Sequence, residues 1–286
     1  MAVKVITDST SYLPEFLINE YNISVVSLSV VFGDEVLKES EIINEYFFKR
    51  LAEKKMPTSS QPSVDDFYQI FEENIKKDNE IVGVFISSEM SGTYSTAILV
   101  KNMILEKYPN AKIEIIDSRS NCMQLGYAVL TAAKAAKDGK SLVEIRKDVE
   151  NNIRRRRFVF IPDTLEYLRI GGRIGTASAL LGSMLQIKPI LTVSNGETHV
   201  LSKVRTKKRA TEEMVNIFLE NINKFGLGEV IVHHINCEEE ARELSTEIGG
   251  KIGIVVEICS IGPVIGTHVG PGALGIAYYT KKDLLI

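Results

Sequence analysis

From Val3 onward, short runs rich in β-branched residues alternate with longer segments whose apolar residues recur at helical spacing. Runs of the first kind and segments of the second bury their apolar sides together only when helices cover a sheet, so the alternation predicts an α/β protein. In the first half the spacing predicts strands at Val3–Thr7, Ile23–Phe32, Ile81–Ile86 and Lys112–Ile116. Helices are expected near Pro14–Glu20, Glu41–Lys54, Val64–Lys76, Thr93–Lys107 and Ser120–Lys137. One mostly parallel sheet with covering helices accounts for that order. A further helix over about Ser141–Arg156 leads into a strand at Phe158–Ile161.

After that strand the rhythm changes. Strands at Lys188–Val193 and Thr198–Val204 flank Asn195-Gly196, a hairpin signal. Helices at Lys207–Lys224 and Glu238–Ile248 then alternate with strands at Glu229–His233, Gly253–Ile258 and Gly275–Tyr279. The expectation is two domains, residues 1–157 with a mostly parallel sheet and residues 158–286 with a mixed one. A chain of 286 residues suits that division, at roughly 100 to 200 residues per domain.

Charge narrows the partners. Lys and Arg number 34 against 37 Asp and Glu, a net charge of −3, so there is no global attraction to nucleic acid or to an anionic membrane. The three cysteines, Cys122, Cys237 and Cys259, are far apart and form no C-x-x-C pair. This argues against a disulfide framework or thiolate zinc site and for a reduced, cytoplasmic setting. Asp8 interrupts the start before a signal-peptide apolar region develops, and no stretch approaches about 18 uninterrupted apolar residues, so neither secretion nor membrane spanning is expected.

Two loops crowd small hydroxyl residues where a strand should give way to a helix: Pro57-Thr58-Ser59-Ser60-Gln61-Pro62-Ser63 and Ser87-Ser88-Glu89-Met90-Ser91-Gly92-Thr93. Unpaired N–H donors at a helix start, reinforced by hydroxyls, can hold a carboxylate or a phosphate. Capping alone would also explain them, Ser63 with Asp66 as a capping box and Ser91 as an N-cap.

Near the C-terminus Gly270, Gly272 and Gly275 satisfy G-x-G-x-x-G. A dinucleotide fold needs a helix, a second strand and an acidic residue beyond, and only 11 residues follow Gly275. The glycines instead suit a sharp backbone turn with His268 on it. His199, His233, His234 and His268 show no metal-binding spacing, so no metal site is expected. Arg154–Arg157 reads as the solvated end of a helix. Lys203–Arg209 and the glycine-flanked Arg173 present cations on turns that could contact phosphate or an acidic partner. Neither has interleaved aromatics, which disfavours single-stranded nucleic acid.

Seven segments in register, Thr7-Asp8-Ser9-Thr10, the Pro57 loop, Ile86-Ser87-Ser88 into Ser91-Gly92-Thr93-Tyr94, Gly171-Gly172-Arg173-Ile174, Lys188-Pro189-Ile190, Lys203–Arg209 and Gly266–Gly272, resemble the DegV family across nearly the whole chain. The resemblance implies a two-domain α/β protein that holds one long-chain fatty acid, such as palmitate or oleate, between its domains. It also implies a carrier subunit without an ATP site or cofactor, whose bound acid a separate kinase subunit converts to an acyl phosphate for a downstream acyltransferase. Carried over residue by residue, Ser59 and Ser91 would bind the carboxylate with His268 close by, and the N–H groups of Gly92 and Thr93 and a protonated His268 would add the donors that a buried carboxylate needs. Arg173, Arg205 and Lys207 would stand at the rim toward the kinase or its phosphate. Many relatives have threonine where Ser59 stands. The Arg154–Arg157 run lies outside the pattern and receives no role.

The chemistry is consistent at both ends of such a ligand. About 15 methylenes at roughly 0.8 kcal/mol each give about 12 kcal/mol gross, against association costs of order 4 to 15 kcal/mol. The buried carboxylate demands hydrogen-bond donors, and the hydroxyl loops offer them. No G-x-x-x-x-G-K-[ST] phosphate loop occurs. The rival reading is a serine-dependent lipid hydrolase or acyltransferase using Ser91 and His268, for which no G-x-S-x-G elbow is present. A second rival, a nucleic-acid binder built on the basic runs, would show steep salt dependence.

Overall fold

A computed structural model describes residues 2–53, 56–182 and 187–284. The first half contains β1 (Val3–Asp8), α1 (Glu15–Glu20), β2 (Ser24–Val26), β3 (Ser29–Phe32), β4 (Glu35–Lys38), α2 (Asn44–Ala52), β5 (Thr58–Ser60), α3 (Val64–Ile75), β6 (Glu80–Phe85), α4 (Thr93–Lys107), β7 (Ile113–Asp117), α5 (Cys122–Lys137) and α6 (Leu142–Ile153). The second contains β8 (Arg156–Ile161), α7 (Glu166–Ile170), β9 (Lys188–Ser194), β10 (Glu197–Val204), α8 (Lys207–Phe225), β11 (Leu227–His234), α9 (Glu238–Ile252), β12 (Glu257–Ser260), α10 (Pro263–Val269) and β13 (Leu274–Thr280). The expected α/β class, with one parallel and one mixed sheet, is what the chain forms.

The parallel sheet has the order β2-β1-β6-β7. The mixed sheet runs β10-β9-β8-β13-β11-β12, its one parallel pair being β11 with β12. The chain leaves the first layer at α6 and enters the second sheet at Arg156. Alternation along the mixed sheet divides its burial. Val159, Ile161, Val232, Ile276 and Tyr278 join α8 and α9 in one core. Phe158, Phe160, Val193, Ile231, Ile235 and Ala277 belong to the core that continues into α5, α10 and the parallel sheet. α5 packs against both β1 and β13, which makes it the shared wall of the two halves.

Several expectations need correction. The run Ile23–Phe32 is two strands in two sheets, because β3 turns away to form a small antiparallel sheet, β4-β3-β5. Thr58–Ser60, expected as loop, is the β5 edge of that sheet, with Ser59 opposite Val30. His268 sits in the last turn of α10 and not on an open turn. The strand expected at Gly253–Ile258 lies later, at Glu257–Ser260. The expected end of the second helix, Lys54, falls outside the described residues. Arg156 is not a solvated helix end: it is buried in β8, its guanidinium donates to the Ser118 and Gln124 carbonyls, and burial pulls its pKa down to about 9. Among the described residues no helix is long and apolar enough to cross a membrane.

Candidate functional site

The parallel sheet presents a topological switch between β1 and β6, since β2 lies on one side of β1 and β6 on the other. Open parallel sheets place ligands beyond the carboxyl ends of their strands at such a point. Asp8 closes the end of β1. Its carboxylate accepts from Thr10 N and Oγ1 and, at 2.7 Å, from the Ile86 N–H beyond β6. Burial raises its pKa to about 6 against the pull of those bonds. The carboxylate thereby ties the start of the second hydroxyl loop to the first strand.

Ile86, Met90 and Ser91 from that loop, and Asn121 from the start of α5, form one side of a cleft whose other walls are Phe158, Phe160, Val193, His233 and Ile235 of the mixed-sheet half and Val264, Ile265 and His268 of α10. The space between the walls, mouth included, is about 720 Å³. The centre of a water molecule reaches only about 50 Å³ of it, so facing walls stand close and the cleft is a slot. Its lining is mostly aliphatic and aromatic, with polar groups gathered at a few places.

One such place joins the two hydroxyl loops to α10. Ser59 Oγ and His268 Nε2 lie 2.6 Å apart. Ser91, one residue before the Gly92 N-cap of α4 and not itself the cap as expected, shares a 2.8 Å hydroxyl contact with Thr93 Oγ1 and accepts the Thr93 N–H at 3.3 Å. Gly92 lets the Gln61 side chain lie close over the turn, since a Cβ there would fall 1.8 Å from Gln61 Oε1 and push that side chain aside. Gln61 reaches past it to Thr96 Oγ1 at 2.7 Å, which docks the Ser59 loop on the Ser91 loop. Ser63 and Asp66 do form the expected helix start, Ser63 Oγ accepting the Asp66 N–H.

His268 is pressed against Gly171, where a Cβ would lie 2.3 Å from Nδ1, and that nitrogen is buried without a well-formed hydrogen bond among the described residues. Desolvation, helped by the nearby Arg173 charge, lowers its pKa to about 4. At that value the ring is neutral at pH 7, and among the described residues no carboxylate faces it to favour the imidazolium expected beside a bound acid. Arg173 is exposed at the edge of the slot, its Nε and Nη2 donating to the Met90 carbonyl at 3.1 and 3.0 Å and its Nη1 to the Gly171 carbonyl at 2.7 Å.

The structure thus gathers Ser59, Ser91, His268 and Arg173 on one slot. Thr93 is fully buried behind Ser91, and neither it nor Gly92 lines the cleft. Arg205 and Lys207 also stand away from the lining; Arg205 is exposed between β10 and α8, and Lys207 pairs with Glu240 at 2.6 Å. Among the described residues the pair required by a serine hydrolase is not made: His268 addresses Ser59, Ser91 addresses Thr93, and Nδ1 of His268 meets no orienting carboxylate. Gly270 and Gly272 open strand β13, not the helix a dinucleotide fingerprint needs.

Sequence reasoning missed Asn121 and His233. His233 lies on the floor of the slot, accepts the Met123 N–H at Nε2 (3.1 Å) and faces the Cys259 carbonyl through Nδ1 (3.2 Å). Desolvation brings it too to about 4. Its alternation in β11 was legible, but nothing in the sequence places Met123 opposite it.

A family model described as "Uncharacterised protein, DegV family" matches residues 2–281. A DegV domain-containing protein of Clostridium acetobutylicum is 56% identical over 284 residues, covering 99% of this chain and all of the relative. The solved structure of DegV, described as a fatty acid binding protein, from Bacillus subtilis has a TM-score of 0.88 at 34% identity, covering 98% of this chain and 100% of that one. A DegV family protein from Thermus thermophilus, whose structure is described as showing fatty acid binding, has a TM-score of 0.88 at 30% identity, with coverage of 98% and 100%. The register of motifs, the three-sheet architecture and these likenesses agree over the same residues: the chain belongs to the DegV family.

Proposed function

We propose that this chain binds one long-chain fatty acid in the slot, with the carboxylate at Ser59, Ser91 and His268, and presents that carboxylate to a separate kinase subunit. One observation carries the reading: a narrow apolar slot bordered by two hydroxyls, an imidazole and a guanidinium. An ionised carboxylate cannot be buried without donors, and Ser59 Oγ and Ser91 Oγ can each turn a hydrogen toward it. A carboxylate beside His268 favours the imidazolium, so binding would draw a proton onto the ring. Arg173 adds a fixed positive charge at the edge. Phosphoryl transfer is left to the partner, because the chain lacks a phosphate loop and offers an exposed Arg173 where an acyl phosphate would emerge.

Denaturing the purified protein, extracting it and weighing the extract tests the reading. One long-chain acid per chain is the expected result. Protein that is empty and takes up no palmitate or oleate overturns it. For the presentation step, Arg173→Ala should retain lipid yet slow kinase-dependent acyl phosphate formation about tenfold. Unchanged rates in both Arg173→Ala and Arg205→Ala would remove the docking role.

A further inference from the structure

The start of α5 leaves one buried polar group unpaired on a residue that lines the slot. Asn121 is the N-cap of that helix and is buried, only 8% exposed. Asparagine is favoured at this position because its Oδ1 accepts an N–H of the first turn. Here it makes no such bond. Cys122, the first helical residue, has φ +49°. The Met123 N–H is taken by His233 Nε2 from the other half of the molecule. His233 therefore caps this helix, and the Asn121 amide is released from the task. Its Nδ2 donates to Met90 Sδ at 3.3 Å, a weak acceptor, and its Oδ1 has no partner among the described residues. Asn121 and Met90 both line the slot.

We propose that Asn121 is a specificity residue whose Oδ1 accepts a hydrogen bond from a hydroxyl on the acyl chain, so that the slot favours a hydroxylated long-chain acid over the unsubstituted acid of equal length. This rests on the fatty-acid reading above. A plain hydrocarbon tail covers the amide without pairing it and leaves its desolvation uncompensated, whereas a hydroxyl supplies the missing donor. A keto group is an acceptor and cannot serve. The ionised head group is acceptor-only as well and has its own donors at Ser59 and Ser91.

The test is the affinity of the full chain, stripped of lipid, for stearate and for a series of monohydroxystearates with the hydroxyl moved along the chain. At one or two positions the hydroxy acid should bind about tenfold more tightly than stearate, the factor a buried amide gains from a matching partner. Asn121→Leu and Asn121→Ala each remove the acceptor, and both should erase that preference. No preferred position in the unaltered protein, or a preference that survives both substitutions, overturns the assignment and leaves the amide to a bound water. Stearate binding without any hydroxyl preference sinks this inference alone. Binding of neither acid sinks the fatty-acid reading with it.

Discussion

His233 on the mixed-sheet floor and His268 on α10 face the same slot, and burial brings both to about 4, yet their partners differ. Both His233 nitrogens are engaged, one by the Met123 N–H of the first half and one by the Cys259 carbonyl. That fixes the tautomer with the proton on Nδ1 and makes the ring a stitch between halves. His268 makes one well-formed bond, with the Ser59 hydroxyl, while its buried Nδ1 lies against the Gly171 backbone with no well-formed bond among the described residues. One ring is fully buried and the other half-buried, both are depressed alike, and the count of satisfied nitrogens separates them. A fully paired ring stabilises what is already there, whereas a half-paired ring retains capacity for something that arrives.

The largest expected effect is on stability. His233→Leu strands the Met123 N–H and the Cys259 carbonyl, and we expect a loss of about 3 kcal/mol at pH 7 by urea denaturation. A loss below about 1 kcal/mol would break the comparison, since His233 would then stitch nothing.

The same variant has a pH signature. His233 is depressed in the folded chain from 6.5 to about 4, so between those values the unfolded chain binds more protons. Stability from this ring is whole above pH 6.5 and is lost as pH falls toward 4, by about 3 kcal/mol. Asp8 works the other way, because its folded pKa is raised from 3.8 to about 6 and its contribution falls as pH rises through that window. The difference between His233→Leu and the unaltered chain isolates the histidine: the gap should be widest near pH 7 and narrow by about 3 kcal/mol at pH 4. A gap independent of pH would show that the ring is not neutral and buried as described.

The smaller effects belong to the other histidine. His268→Ala should leave urea stability within about 1 kcal/mol and weaken oleate binding about tenfold, measured by displacement of a fluorescent fatty acid. Ser91→Ala should cost less, about threefold, because the Thr93 hydroxyl behind it can turn forward. If His268→Ala unfolds the chain while binding by the folded fraction is unchanged, the division of labour between the two rings is wrong.

Local pattern carried most of the layers. Alternating β-branched runs gave β1, β6, β7, β9 and β10, and Asn195-Gly196 gave their hairpin, whose turn Arg119 and Ser87 hold from the other half. The failures share a cause. Ile23–Phe32 is one run by composition, but a single strand cannot belong to two sheets, and tertiary pairing broke it. Arg154–Arg157 is one basic run, but β8 alternation turned Arg156 inward while its neighbours stayed nearer solvent. Lys207, a plausible phosphate contact by charge, spends its charge on Glu240. The motifs named Ser59, Ser91, His268 and Arg173, all of which line the slot, whereas Asn121 and His233 line it and carried no motif at all.

By itself, then, the order of amino acids determined the α/β layering, the hydroxyl loops and the family, because each is written in neighbours or in short periodic spacing. Only the folded arrangement decided which polar groups in the slot are spoken for. Ser59 meets His268 across 209 positions, and Met123 meets His233 across 110. Whether a buried donor or acceptor is paired depends on the geometry of both partners at once, and residues so far apart acquire a mutual geometry only when the sheets pack.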